Sequence, residues 1–336
     1  MSNRGAGGRP RKSGTPAENS MTETTSAAKS LRISGLYGTR ISFLKAGLQV
    51  TDAVVLGSLL LFAILIAVFH DRILNPMILL ARLGLWAAVY VGSIYLLPLL
   101  KNRILYFLVR AGAVQVVFYE LFLICQRLQL IWVHHWQDEA LIGWEKAIFG
   151  VQPTVWLQRF ISPPLTEWLM FSYVLYTFIY PILGALIYFK RGERPLEDYW
   201  LTLALVNLAC FIGFMIFPIA GPLYHNAEAY SVPLKGGFFT AWGEHIRTHI
   251  HEIGSNLPSP HCAVVTVMWL MAYRYVRTAF YVLAPVVISI YVSTFFLRFH
   301  YVSDTVAGIL TALLVIIVAP AFPRAWNAAA RRGRKA

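Results

Sequence analysis

The run VSDTVAGILTALLVIIVAPAF, residues 302–322, decides the fold. It holds one charged residue, Asp304, near its start, and is otherwise apolar for about the 20 residues a helix needs to cross a bilayer. Working back along the chain, stretches of similar character occupy 279–297, 261–274, 198–217, 166–189, 104–132, 77–99 and 51–69. The 336 residues are 57% hydrophobic and 13% charged, whereas soluble domains carry roughly 25% charge. These runs predict an all-α fold, a polytopic transmembrane helical bundle of about eight spans.

A net charge of +13 would suit nucleic acid if it were clustered on one face. It is instead spread over tails and short connections. Lys101 and Arg103, Lys190, Arg191 and Arg194, and Arg274 and Arg277 fall on one side of an eight-span chain, together with the basic N-terminal tail and the RRGRK terminus. The other side holds only Arg72, Lys146, Arg159, Lys235, Arg247 and Arg298. The bias predicts a multi-pass protein of the cell membrane with both termini cytoplasmic, and no nucleic-acid partner. Cys125, Cys210 and Cys262 sit in or beside apolar runs without paired spacing, so neither a disulfide framework nor a cysteine zinc site is expected.

The organisation that follows is a disordered basic tail over 1–45, three N-terminal spans over 46–133 and an interfacial amphipathic segment over 134–165. A catalytic membrane core over 166–322 and a basic C-terminal tail over 323–336 complete it. No signal peptide is expected, because the first long apolar run begins near residue 51.

Asp304 lies four residues after His300, so on a helical turn the two share a face. A second histidine, His261, follows Ser259 and Pro260 at the start of the 261–274 run. Ser is a favoured N-cap and Pro a favoured first helical residue, so a helix begins there, and its free N–H groups suit an anion. Two antiparallel spans joined by a short turn separate the histidines and return both to one face, the outer one by the charge bias. Two imidazoles and a carboxylate suit covalent phosphoryl transfer: one attacks phosphorus, the other protonates the leaving oxygen, and the carboxylate orients the attacker. Arg298 adds a planar cation that matches phosphate. Taken singly, each feature also reads as an ordinary helix cap, a polar pair at a helix end, or a lipid-headgroup anchor.

Ser-Pro-His at 259–261 with Leu-Arg-Phe-His-Tyr-Val-Ser-Asp at 297–304 resembles the type-2 phosphatidic acid phosphatase superfamily. Phe217-Pro218-Ile219-Ala220-Gly221-Pro222-Leu223-Tyr224 is similar to the Phe-Pro-x-Ala-Pro-Pro-x-Tyr signature of its inositol-phosphorylceramide synthase-like (inositolphosphotransferase) branch. Ile148-Phe149-Gly150 and Pro153, downstream of Asp138, resemble that branch's interfacial segment. The resemblance spans roughly 134–322 and implies a six-helix-type phosphatase core at the C-terminal side. His300 would be the nucleophile that forms a phosphohistidine, Asp304 its orienting partner and His261 the acid. No metal or other cofactor is implied. Arg298, Ser259, Tyr224 and His225 are candidates for substrate or phosphate binding. Two departures stand out. Many members carry an arginine six residues before the second histidine, where this chain has Thr294. Lys190, Arg194 and Pro195 are too close together, and on the wrong side, for the superfamily's first motif.

The implied substrate is a lipid phosphate or phospholipid from the bilayer, with water, or a polyol or other alcohol, as acceptor. The alternative is a non-enzymatic membrane transporter or scaffold with an interfacial histidine cluster. The tract GEHIRTHIHE, residues 243–252, places His245 and His249 at the i, i+4 spacing of a metal pair, but reads better as a flexible polar loop without metal. Arg82, Arg110, Glu120 and Arg127 lie inside spans, where charges face a cavity or one another. Arg110 and Glu120 are too far apart on one helix to pair together.

Overall fold

The computed structural model describes residues 41–43, 46–249 and 253–333. Residues 1–40 and 334–336, most of the expected N-terminal tail and the end of the C-terminal one, lie outside the described residues. Strands β1 (Ile41–Phe43) and β2 (Ala46–Leu48) form a small antiparallel hairpin, and the other regular elements among the described residues are helical. The long helices are α1 (Val50–Val68), α2 (Pro76–Leu96), α3 (Arg103–Leu128) and the interfacial α4 (Asp138–Phe149), which is followed by the one-turn α5 (Pro153–Trp156). Then come α6 (Pro163–Arg191), α7 (Glu193–Ile216), the one-turn α8 (Pro222–His225), α9 (Phe238–His249), α10 (Pro260–Tyr275), α11 (Arg277–Phe296), α12 (Val302–Val318) and α13 (Ala321–Gly333).

Among the described residues, seven helices are long and apolar enough to cross a membrane: Val50–Val68, Pro76–Leu99, Arg103–Gln126, Pro163–Arg191, Glu193–Ile216, Arg277–Phe296 and Val302–Ala330. The eighth expected span is α10, which has only 16 residues, about 24 Å at 1.5 Å per residue and short of a bilayer's hydrocarbon core. It can be short because it is packed at the centre of the bundle, with only Tyr273 and Arg274 in its last turn exposed. It packs on α6, α7, α11 and α12, and Cys262 through Met268 are all buried. It still runs from end to end of the bundle, since the Arg191 side chain binds the Tyr275 carbonyl at 2.9 Å beside Asp198, and Tyr275 donates to Asp198.

The charges expected inside spans pair between helices. Arg110 of α3 forms a two-pronged bond to Glu197 of α7, at 2.7 and 2.5 Å, and reaches Asp52 of α1 at 2.5 Å. Tyr90 of α2 closes this cluster on Asp52 at 2.9 Å. Glu120 takes Arg82 of α2 at 2.5 Å. The Arg110 cluster fastens α1, α2 and α3 to α7 at the end of the bundle away from the histidines. The tract 243–252, expected as a loop, is helical through His249 as the second half of α9. Glu167 of α6 stabilises the start of that helix by accepting the N–H groups of Gly237, Phe239 and Thr240 at 2.6, 2.7 and 3.0 Å. His251 and Glu252 lie outside the described residues.

Candidate active site

The site forms where the starts of α10 and α12 meet. Ser259 caps α10 and donates its backbone N–H to the Asp304 carbonyl at 3.0 Å, which ties the two histidine motifs together. Gly308 lets the helices close: a Cβ there would stand 2.5 Å from the Ser259 carbonyl oxygen. After α11 the chain turns back through Arg298, a non-glycine residue at φ 66, and the His300 N–H returns to the Thr294 carbonyl at 2.9 Å. Asp304 Oδ2 accepts the Tyr301 N–H at 2.9 Å and lies 3.5 Å from His300 Nδ1.

This geometry puts the rings of His261 and His300 5.7 Å apart. His300 and Asp304 are buried. Tyr173 of α6 stacks on His261 at 4.4 Å and on Phe299 at 4.3 Å, and Tyr176 leans on His261 at 4.9 Å. The two tyrosines brace the His261 ring from the neighbouring helix.

The interfacial segment supports the loop around the site. Asp138, at the start of α4, accepts the N–H groups of Ala220 and Gly221 at 2.8 and 2.9 Å and the Tyr301 hydroxyl at 3.0 Å. Gly221 sits at φ 99 with Asn256 where a side chain would be, a backbone state that proline, fixed near −65°, cannot adopt. Burial holds the Tyr301 hydroxyl well above the ordinary phenol range, and the Asp138 charge adds to this. Glu145 of α4 accepts the Ser303 N–H and hydroxyl at 2.7 and 2.9 Å; burial raises its pKa, and the Ser303 bonds oppose that rise.

A cavity of about 630 Å³ begins at Pro260, His261, Phe299 and His300 and runs down between α3, α6 and α7. Arg247 of α9 also lines it, with its Nε held by the Glu244 carboxylate at 3.1 and 3.2 Å. Arg298 is turned away from this cavity. Its guanidinium lies 4.6 Å over the Tyr230 ring and donates to the Val232 carbonyl, while Nε is buried with no hydrogen-bond partner. Burial lowers its pKa, and it also pushes the Tyr230 hydroxyl up to about 12. Arg298, Arg247, Tyr224 and Asn256 line an adjoining recess of about 10 Å³, about the room one water needs.

Of the residues expected at the site, His261, His300 and Asp304 come together and Tyr224 stands at the recess. Ser259 is buried, with its hydroxyl spent on the Cys262 N–H at 3.5 Å, and His225 is exposed on α8. Neither lines the cavity or the recess. Thr294 bonds the Thr305 hydroxyl at 2.8 Å and the Tyr291 carbonyl at 2.7 Å, so no cation occupies that position. Among the described residues, no group of His, Cys, Asp and Glu could hold a metal ion. Sequence reasoning missed Arg247 and the bracing Tyr173. The spacing of Glu244 and Arg247, one helical turn apart, was the available signal for the first.

A family model described as PAP2 superfamily matches residues 132–318, more than half of the chain. No curated protein and no solved structure matches it. Both histidine motifs, Asp138 and Arg247 fall inside the matched stretch, whereas α1 to α3 precede it. The chain therefore belongs to the PAP2 superfamily, as a multi-pass membrane protein whose membership supports a phosphatase-type activity.

Proposed function

We propose that this protein hydrolyses the phosphate ester of a membrane lipid through a phosphohistidine on His300, without a metal. The observation that carries the reading is the pair of imidazoles, 5.7 Å apart, on the wall of a mostly apolar cavity with Asp304 behind His300. His300 Nδ1 faces Asp304, which leaves Nε2 to attack phosphorus. As the N–P bond forms, the P–O bond to the lipid breaks, and protonated His261 gives its proton to the departing oxygen. Neutral His261 then takes a proton from water. The water oxygen attacks phosphorus, the N–P bond breaks, and inorganic phosphate leaves with His300 restored. Arg247, which lines the cavity with the histidines, balances phosphate charge.

A water-sized recess lined by Arg247, Arg298 and Phe299, next to the histidine cavity, supports water as acceptor. The inositolphosphotransferase reading rests on the Phe-Pro signature, and Gly221 departs from it in a conformation proline cannot take. The test uses purified protein in lipid nanodiscs with EDTA and radiolabelled lipid monophosphates. Free phosphate in water alone is the expected product. A new labelled lipid formed only with added inositol would replace hydrolysis by transfer. A transporter or scaffold would retain its function in His300→Ala.

A further inference from the structure

The helix α3 precedes the stretch matched by the family, yet it forms one whole wall of the cavity. Gln115, Val116, Phe118, Tyr119, Phe122 and Leu123 line it along two turns. The facing wall is α6, from Tyr173 beside His261 to Pro181. Val116 and Tyr119 line the cavity and are 37% and 57% exposed, so the cavity is open along this face of α3. The mouth of the cavity therefore opens sideways along α3, toward the region a bilayer's hydrocarbon would fill. Its upper end is cationic and imidazole-rich, and its walls are apolar and aromatic.

The floor is polar. Asn207 donates to the Leu203 carbonyl at 2.8 Å and to the Tyr180 hydroxyl at 3.4 Å, and Gln115 and Thr177 also line the cavity. Pro181, lacking an N–H, leaves the Thr177 carbonyl without its helical partner. Tyr173 to Pro181 spans about 12 Å at 1.5 Å per helical residue. An extended chain advances about 1.3 Å per carbon, given C–C bonds of about 1.5 Å, so about nine carbons reach the floor. Beyond that depth a methylene meets polar groups and gains nothing.

We propose that α3 and this floor form the binding site for the hydrocarbon chain of the phosphorylated lipid, and that they set the chain length whose burial is rewarded. The inference rests on the phosphatase reading for the identity of the headgroup. The occupant is argued from continuity: the same cavity that holds the histidines and Arg247 extends as an apolar cleft and opens toward lipid.

The test is a series of monoalkyl phosphates of four to sixteen carbons added to the full-length protein in nanodiscs. Binding is read from the rise in melting temperature and cleavage from released phosphate. Affinity is expected to rise about fourfold per methylene up to about nine carbons and then level. Val116→Trp fills the lower cleft and should move the break about three carbons shorter, lowering the octyl-to-butyl affinity ratio about 16-fold. A merely destabilised variant would weaken both ligands alike and leave that ratio intact. Gln115→Leu, which removes floor polarity without filling space, should carry the rise past nine carbons. A rise that continues to sixteen carbons in the unaltered protein, or an unchanged ratio in Val116→Trp, would overturn the proposal. A chain-length break in binding with no phosphate release from any ester would sink the phosphatase reading and leave the cleft standing.

Discussion

Asp304 uses one oxygen twice, capping α12 through the Tyr301 N–H and facing His300 Nδ1. Asparagine keeps an acceptor for the cap but loses the charge that favours the attacking tautomer. Asp304→Asn is therefore expected to lower kcat by roughly 10²- to 10⁴-fold while the melting temperature stays close to that of the parent. An unchanged kcat would leave Asp304 as a helix cap alone. His300→Ala should abolish turnover with folding intact, checked by phosphate release and thermal melting on the same sample. His261, His300 and Asp304 were legible because they lie at sequence spacings that chemistry recognises: a histidine four residues before a carboxylate, and a histidine after a Ser-Pro cap. His300 itself lies in the bend before α12. Arg247 was not, because it meets the histidines only through the packing of α9, fastened by Glu167 from a different helix. Arg298 shows the reverse. It was prominent in sequence, but its left-handed backbone turns the guanidinium onto Tyr230.

Among the elements, α10 and α12 meet most closely at Gly308. A methyl group there would press on the Ser259 carbonyl, a backbone atom that cannot rotate away. Gly308→Ala should cost about 1–3 kcal/mol of stability and also lower kcat, because the same seam carries the bond from Ser259 to Asp304. Melting and turnover both equal to the parent would show that the seam yields freely. At the opposite end, Arg110 serves two carboxylates from two helices. Arg110→Met leaves Asp52 and Glu197 buried without their cation, at an expected cost of about 3–5 kcal/mol. Adding Asp52→Asn and Glu197→Gln should recover part of that loss, read from thermal unfolding of the single and triple variants. The apolar runs revealed the helices, since bilayer-length segments need no tertiary information. They hid this cluster, because which charge meets which depends on how the helices are arranged around one another. The run at 261–274 is already the shortest in the sequence, and the burial of α10 by its neighbours lets so short a helix do.

Across the whole molecule, every chemical feature of the site lies at one end and the Arg110 cluster at the other. The connections at the site end are poor in Lys and Arg relative to those at the far end, and the positive-inside bias predicts a site that faces away from the cytoplasm. That orientation would have a chemical consequence: the lipid phosphates within reach would be those of the outer leaflet, and phosphate would be released outside the cell. Labelling can decide it, because Cys125, Cys210 and Cys262 are all buried and give a quiet background. Glu228 is exposed near the site and Arg194 is exposed at the start of α7, at the far end. In intact cells a membrane-impermeant maleimide is expected to label Glu228→Cys, and to label Arg194→Cys only after permeabilisation. The opposite pattern would turn the protein over and direct its chemistry to the cytoplasmic leaflet. Equal labelling of both before permeabilisation would mean that the charge bias does not set a single orientation.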